Sequence, residues 1–126
     1  MSIKLLIADD EPNILISLEY LMKREGFTVF VARDGEEALE LLRRERPRLV
    51  LLDVMMPKKS GFDVCQELRA DEAIRDTLVL MLTAKGRETD LAKGLGVGAD
   101  AYMTKPFSTK GLVQKVRSML DLPLSP

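Results

Sequence analysis

The chain has 126 residues, enough for one domain, and its 46% hydrophobic and 31% charged residues are ordinary for a globular protein. Nineteen Lys and Arg against 20 Asp and Glu give a net charge of −1, so no overall basic excess favours binding to nucleic acid or to an anionic membrane. The absence of histidine excludes a Ser-His-Asp triad and a His-ligated zinc site. The single cysteine excludes an internal disulfide and a thiolate metal cage.

The N-terminal segment predicts neither export nor insertion into a membrane. Its apolar run ends at Asp9, Asp10 and Glu11, before the apolar core of a signal peptide could be completed. No apolar run approaches the ~20 residues that a transmembrane helix needs. We therefore expect a cytoplasmic protein, and the single cysteine suits a reducing compartment.

Five short apolar runs predict buried parallel strands, with helical patterns in the intervals between them. The predicted strands are 3–8, 27–32, 49–52, 78–82 and 101–103. The first helix begins at Pro12 and ends at Gly26, and the others span 36–44, 62–70, 87–94 and 108–120. Short links between parallel strands require right-handed crossovers, so the helices must cover both faces of one sheet. The sequence thus predicts a doubly wound α/β domain.

Polar residues stand at or directly after the ends of four predicted strands. Asp9 and Asp10 follow the first strand, Asp53 the third and Thr83 the fourth, and Lys105 follows the fifth. In doubly wound folds, ligands bind beyond the carboxyl ends of the strands. We therefore expect three carboxylates, a hydroxyl and an ammonium group to converge on one edge of the sheet.

This set of groups favours phosphoryl transfer onto an aspartate. Three close carboxylates repel one another, and a hard divalent cation such as Mg²⁺ relieves that repulsion through oxygen ligands. Such an ion also neutralises charge on the oxygens of a transferring phosphoryl group. Lys105 adds a mobile positive charge, and Thr83 adds a hydroxyl that can follow a phosphoryl oxygen. Carboxylates serve as nucleophiles in reactions of this kind.

The ordered set of strand-end residues resembles the receiver domain of two-component response regulators over nearly the whole chain. The residues that carry the resemblance are Asp9, Asp10, Asp53, Thr83, Lys105-Pro106-Phe107 and Gly98-Ala99-Asp100. The resemblance implies a flavodoxin-like (βα)5 domain with a five-stranded parallel sheet in the order 2-1-3-4-5. We expect the domain to span residues 1–121, with 122–126 as a tail or the start of a linker.

The resemblance also implies a role for each residue of the acidic site. Asp53 matches the phosphoacceptor, Asp10 the carboxylate that ligates Mg²⁺ directly, and Asp9 the carboxylate that acts mostly through water. Met55, two residues after the phosphoacceptor, matches the residue whose backbone carbonyl ligates the metal. Lys105 matches the ammonium group that binds the phosphoryl group.

Two further residues match the family's conformational switch. Thr83 corresponds to the switch hydroxyl, and Tyr102 to the aromatic side chain that turns inward when that hydroxyl engages the phosphoryl group. The Lys105-Pro106 peptide bond is expected to be cis, as it usually is in the family.

Some positions depart from the commonest pattern or find no place in the site. Met55 is apolar and Lys85 is basic where other members have polar and acidic side chains, and these positions tune the lifetime of the phosphoryl group. The sequence does not predict the direction of their joint effect. Arg33 and Asp34 follow the second strand and have no evident partner at the site.

The leading functional hypothesis is a phosphorylation-operated switch. A sensor histidine kinase or a phosphotransfer protein would donate to Asp53 in trans, because this chain contains no histidine. The phosphorylated domain would signal through its fourth helix, fifth strand and fifth helix to an effector, or to a second copy of itself. Such a switch catalyses only its own phosphoryl uptake and loss, and we expect no nucleic acid or membrane partner for this domain.

Two alternatives remain open at this stage. A Mg²⁺-dependent phosphatase with an aspartyl-phosphate intermediate would share the nucleophile and the lysine, although such enzymes usually place the nucleophile after the first strand and carry a cap. A receiver that only docks partners is the other alternative, and the complete set of acidic residues argues against it.

Overall fold

Five parallel strands form one sheet in the order β2-β1-β3-β4-β5. The structure, a computed structural model, describes residues 2–84 and 96–124. The strands are β1 (Lys4–Ala8), β2 (Thr28–Ala32), β3 (Leu49–Asp53), β4 (Leu78–Ala84) and β5 (Ala101–Lys105). The predicted flavodoxin-like fold and strand order are confirmed.

Four long helices lie among the described residues. They are α1 (Pro12–Arg24), α2 (Gly35–Glu45), α3 (Gly61–Ala70) and the C-terminal helix (Thr109–Met119). The predicted helix over 87–94 lies outside the described residues, as does Lys85. Within the described ranges, no helix combines the length and the apolar character needed to cross a membrane.

Local sequence signals explain where the helices begin and end. Pro12 occupies the first turn of α1, and Gly26, with a φ of 95°, follows its end. Ser108 caps the C-terminal helix by accepting a hydrogen bond from the backbone of Gly111. Helix α2 begins at Gly35, one residue before its predicted start, because the Asp34 side chain accepts from the Glu37 amide and caps the helix.

Helices cover both faces of the sheet, as the short crossovers require. Alternate residues of each strand face opposite layers. Leu6 and Leu52 pack in the layer that contains the buried faces of α2 and α3. Leu5 and Leu51 pack in the layer that contains α1 and the C-terminal helix. All four leucines are fully buried, so the sheet is a rigid frame for the residues at its edge.

Strands β4 and β5 extend two residues beyond their predicted ends. The apolar runs stop at Leu82 and Met103, but the register continues through the pairs Thr83↔Thr104 and Ala84↔Lys105. Parallel ladder pairing therefore carries polar residues past the end of the apolar pattern. As a result, Thr83 and Lys105 lie within strands, where the neighbouring backbone holds them in place.

Arg69, at the end of α3, holds together the opposite, amino-terminal edge of β4 and β5. Its guanidinium group donates to the backbone carbonyls of Gly98, Arg75 and Thr77 at 2.9, 2.7 and 2.6 Å. It also donates to an Asp100 carboxylate oxygen at 2.7 Å, and the same oxygen accepts from the Val79 amide at 2.8 Å. This network fixes the entry to β5 against β4.

The C-terminal residues 121–124 pack back on the domain. The Leu122 amide donates to the Arg117 carbonyl at 2.8 Å, and the Arg117 side chain donates to the Pro123 carbonyl at 2.5 Å. Arg117 also reaches Glu25 at the end of α1, at 3.4 Å. Leu122 packs against the layer of α1 and the C-terminal helix. These contacts connect residues 121–123 to α1 and the C-terminal helix, and the role of 122–126 as a tail or the start of a linker stays a prediction.

We expect Arg69→Ala to lower the free energy of unfolding by about 2–3 kcal/mol, because it leaves several hydrogen-bond acceptors unpaired. Urea denaturation followed by circular dichroism measures the loss. Arg75→Ala is the matched control: its side chain is exposed, and we expect a change within about 0.5 kcal/mol. Equal stability of the two variants would contradict the proposed importance of the network.

Candidate functional site

The predicted site residues converge at the carboxyl edge of the sheet. Asp9 directly follows β1, Asp53 is the last residue of β3, and Lys105 is the last residue of β5. Strands β1, β3, β4 and β5 are consecutive neighbours, so their carboxyl ends form one continuous edge. Thr83, the penultimate residue of β4, lies between Asp53 and Lys105 in strand order.

Three carboxylates form a cluster at this edge. Asp9, Asp10 and Asp53 each offer an oxygen within 4.8 Å of the others. Asp9 is fully buried, Asp53 is 6% exposed, and Asp10 is exposed. The cluster therefore reaches from the protein interior to solvent, which lets a ligand approach from outside while two carboxylates stay fixed.

Lys105 provides the positive charge of the cluster. Its ammonium nitrogen lies 2.8 Å from an Asp9 oxygen and 3.3 Å from an Asp53 oxygen. A third carboxylate, on the exposed side chain of Glu11, lies 4.0 Å away. Sequence reasoning did not assign Glu11 to the site, although its place directly after Asp10 was the available signal. Its backbone amide also donates to Asp9 at 3.0 Å, which orients that carboxylate.

The surroundings of Asp53 disfavour its ionised form. Burial and the charge of Asp9 raise the pKa of Asp53 to about 6, against the opposing influence of Lys105. Burial alone would lower the pKa of Lys105, but the hydrogen bond to Asp9 and the charges of Asp53 and Asp9 outweigh it and raise that pKa. The lysine is therefore a firmly held cation, and it does not fully compensate the acids around it.

The donor set suits a hard divalent cation. All the side-chain ligands of the cluster are carboxylate oxygens, and the carboxylates outnumber the nearby ammonium group. Mg²⁺ binds one or two carboxylates and retains several waters, which an exposed Asp10 beside a buried Asp9 would permit. The observed cluster thus fits the metal that the sequence predicted.

The remaining predicted residues lie around the cluster. Thr83 is buried, and Tyr102 is half-buried with its ring against the layer of α2 and α3. The Met55 side chain is 56% exposed, so its position in the loop after β3 leaves that side chain at the surface. The Lys105-Pro106 peptide bond is cis, as predicted.

Gly61 is a residue of this site that sequence reasoning missed. A Cβ atom at this position would lie 2.4 Å from the carbonyl oxygen of Asp53, so only glycine fits against the backbone of the last residue of β3. The Gly61 amide donates to the Val54 carbonyl at 2.8 Å and closes the loop between them. Its place at the start of α3 is the signal that could have found it.

Comparison with known proteins identifies the family of this chain. The sequence pattern described as "Response regulator receiver domain" matches residues 5–117. The chain belongs to the response regulator receiver domain family. It is 46% identical over 120 residues to the alkaline phosphatase synthesis transcriptional regulatory protein PhoP of Bacillus subtilis (strain 168). The alignment covers 95% of this receiver domain but 49% of PhoP, so the chain spans about half the length of that curated relative.

Solved structures share the fold of this receiver domain. The CheY-like response regulator receiver domain protein of Methanospirillum hungatei JF-1 superposes with a TM-score of 0.89 at 27% identity, over 96% of this chain and 95% of that one. The receiver domain of sensor histidine kinase PA1611 of Pseudomonas aeruginosa PAO1 superposes with a TM-score of 0.88 at 26% identity, over 96% and 99% of the two chains. That structure holds a magnesium ion in its active-site cleft.

We expect Asp53→Asn to stabilise the metal-free receiver domain at neutral pH. The folded state holds Asp53 with a raised pKa, so it binds more protons than the unfolded chain between about pH 4 and 6. Ionisation of Asp53 therefore lowers the free energy of unfolding of the wild-type chain as the pH rises through that window. Urea denaturation in EDTA should show the variant to be more stable by about 1–2 kcal/mol at pH 7.5, with a smaller difference at pH 4.

Asp76→Asn is the control for this measurement because Asp76 is an exposed carboxylate remote from the cluster. It should leave the pH dependence of the wild-type chain unchanged. An advantage of Asp53→Asn that is equal at both pH values would show that the acidic cluster does not strain the folded state.

Proposed function

We propose that this receiver domain accepts a phosphoryl group on Asp53 in a Mg²⁺-dependent reaction. The observation that carries the proposal is the position of Asp53. It is an acceptor carboxylate fixed at a strand end, with two further carboxylates within 4.8 Å and an ammonium group at 3.3 Å. The magnesium ion in the cleft of the PA1611 receiver domain supports the choice of metal.

The residues divide the chemistry of the transfer among them. An oxygen of Asp53 attacks the phosphorus of a phosphohistidine, the new O–P bond forms, and the P–N bond breaks as the imidazole leaves. Asp9, Asp10 and Asp53, together with the Met55 carbonyl, would hold Mg²⁺. That ion supplies charge neutralisation for the transferring oxygens. Lys105 already lies beside Asp53, and its ammonium group forms an ion pair with the phosphoryl group that Asp53 receives.

The phosphoryl donor in this proposal is a histidine on a partner kinase or a phosphotransfer protein. No residue of the 126 is a histidine, so the donor side chain lies outside this sequence. The membership of the receiver domain family and the similarity to PhoP support a kinase partner of this class. We place the protein in the cytoplasm on the same grounds.

The signal passes from the acceptor to the surface through β4 and β5. Thr83 is the penultimate residue of β4, and Tyr102, which pairs with Met81, lies on β5 two residues before the register partner of Thr83. Movement of the Thr83 hydroxyl onto a phosphoryl oxygen leaves space that the Tyr102 ring fills. The altered surface comprises β5, the C-terminal helix and the segment that precedes β5. An effector, or a second copy of the chain, binds there.

The domain acts in this proposal as a switch and not as an enzyme with a separate substrate. It catalyses its own phosphoryl uptake and its own slow loss of the phosphoryl group. Met55 is exposed two residues after the acceptor, and by its resemblance to the family's position that tunes the phosphoryl lifetime we infer that it influences this rate.

Acetyl phosphate with Mg²⁺ should add one phosphoryl group to the wild-type chain, because the acceptor site needs no partner protein for this small donor. Intact-mass spectrometry should show the adduct, and both EDTA and Asp53→Asn should reduce it to background. Asp76→Asn, an exposed aspartate in the same chain, should be labelled like the wild type.

Failure of the wild-type chain to be labelled would contradict the proposal. Sustained release of phosphate from many small phosphate esters would favour the phosphatase alternative instead.

Thr83→Ala should preserve labelling of Asp53 but uncouple it from the surface, because the variant keeps the acidic cluster and loses the hydroxyl. Two-dimensional NMR should show that labelling shifts the Tyr102 resonances in the wild type and not in the variant. Thr104→Ala, its exposed register partner on β5, is the matched control and should respond like the wild type. Equal responses of both variants would rule out a switch through Thr83.

A further inference from the structure

The loop that joins Asp53 to α3 is held by a second element as well as by its own ends. Residues 54–60, which we call the acceptor loop, contain the Met55 carbonyl that the proposed function assigns to the metal. At its base, the Val54 carbonyl accepts from the Gly61 amide at 2.8 Å. At its far side, the Pro57 carbonyl accepts from the Gly35 amide at 3.3 Å. In the chain, Met55 therefore lies between Val54 and Pro57, whose carbonyls both accept hydrogen bonds from residues outside the loop.

The contact at Gly35 leaves no space for a side chain. A Cβ atom there would lie 2.3 Å from the carbonyl oxygen of Lys59 and 2.5 Å from its Cβ, and a backbone group cannot rotate away as a flexible side chain can. Gly35 is buried as the first residue of α2 and does not adopt a positive φ. Glycine is therefore required by the close approach of the acceptor loop and not by the local backbone conformation.

A polar contact beside Gly35 reinforces this packing. The Asp34 carboxylate caps α2 with one oxygen and lies 3.7 Å from the Lys58 ammonium group with the other. Lys58 adopts a φ of 69°, an unfavourable conformation for a residue other than glycine, which persists where the surroundings hold it. Asp34, which had no evident partner at the site, thus contacts with Gly35 the loop that follows the phosphoacceptor.

We propose that Gly35 is a positioning residue for the metal site. By packing against the backbone of Lys59, the start of α2 sets the acceptor loop in the shape that brings the Met55 carbonyl to the carboxylate cluster. This inference rests on the proposed function, since it assumes that the cluster binds Mg²⁺ with help from that carbonyl. Residues that orient metal ligands from outside typically change metal affinity by about 10–100-fold when they are altered.

The test compares the Mg²⁺ affinity of Gly35→Ala with that of the wild-type chain. The added methyl group must displace the acceptor loop, so isothermal titration with MgCl₂ should show an affinity at least about tenfold lower. The amide NMR signals of residues 54–60 should also shift before any metal is added. Gly96→Ala is the matched control, because a Cβ atom at Gly96 meets nothing within 4 Å.

A general loss of stability is separated from positioning by a second control. Val116→Ala removes buried volume from the C-terminal helix on the other face of the sheet, so it should lower stability and leave Mg²⁺ affinity unchanged. If Gly35→Ala does not fold, Asp34→Ala loosens the same contact without adding an atom. It should weaken Mg²⁺ binding, whereas Asp34→Asn, which keeps the helix cap, should weaken it less.

Two results would overturn the inference, and they are distinguishable from each other. Wild-type Mg²⁺ affinity in folded Gly35→Ala, or in both Asp34 variants if that chain does not fold, would remove the positioning role and leave the proposed function intact. Failure of the wild-type chain itself to bind Mg²⁺ would overturn the proposed function and this inference with it.

Discussion

Repulsion among carboxylates at one edge of the sheet is the constraint on which the rest of the site depends. Asp9, Asp10 and Asp53 approach within 4.8 Å, and among the residues that the structure describes the ammonium group of Lys105 is the cation beside them. Burial, together with the charge of Asp9, raises the pKa of Asp53. A folded chain tolerates this arrangement only because its rigid sheet holds the strand ends in place, and a divalent cation is the natural ligand that relieves the strain.

The sheet also explains why residues far apart in the chain act together. Asp9 and Lys105 are separated by 96 positions, yet their side chains meet at 2.8 Å because β1 and β5 end on the same edge. The central strands β1, β3 and β4 are largely buried, and β5 is held by its ladder to β4, so the residues at their carboxyl ends have little freedom to move. Arg69 and Asp100 hold the opposite edge of β4 and β5 in the same way. Strands β4 and β5 keep one register along their length. Contacts that fix their pairing at the amino-terminal edge therefore also determine where Thr83 and Lys105 lie at the carboxyl edge.

The fold and the core of the site could be predicted from sequence because both depend on short-range patterns. Apolar runs located the five strands, and polar residues at their ends located Asp53, Thr83 and Lys105. The contacts of Arg69 and of Gly35 could not be predicted in this way. They join elements through particular side-chain lengths and close backbone approaches, which depend on how α2 and α3 pack. The ends of β4 and β5 were missed for a related reason, since ladder pairing continues where the apolar pattern stops.

Phosphorylation in the proposed mechanism would change the balance of charge around Lys105. In the unphosphorylated domain its ammonium group lies closer to Asp9, at 2.8 Å, than to Asp53, at 3.3 Å. A phosphoryl group on Asp53 would add negative charge at the site and draw Lys105 away from Asp9. Asp9 would then lose its positive partner at the moment when negative charge rises, which favours a cation in the cluster. Phosphorylation of Asp53 and binding of the cation would therefore be coupled, and by linkage phosphorylation would raise the affinity of the cluster for the cation.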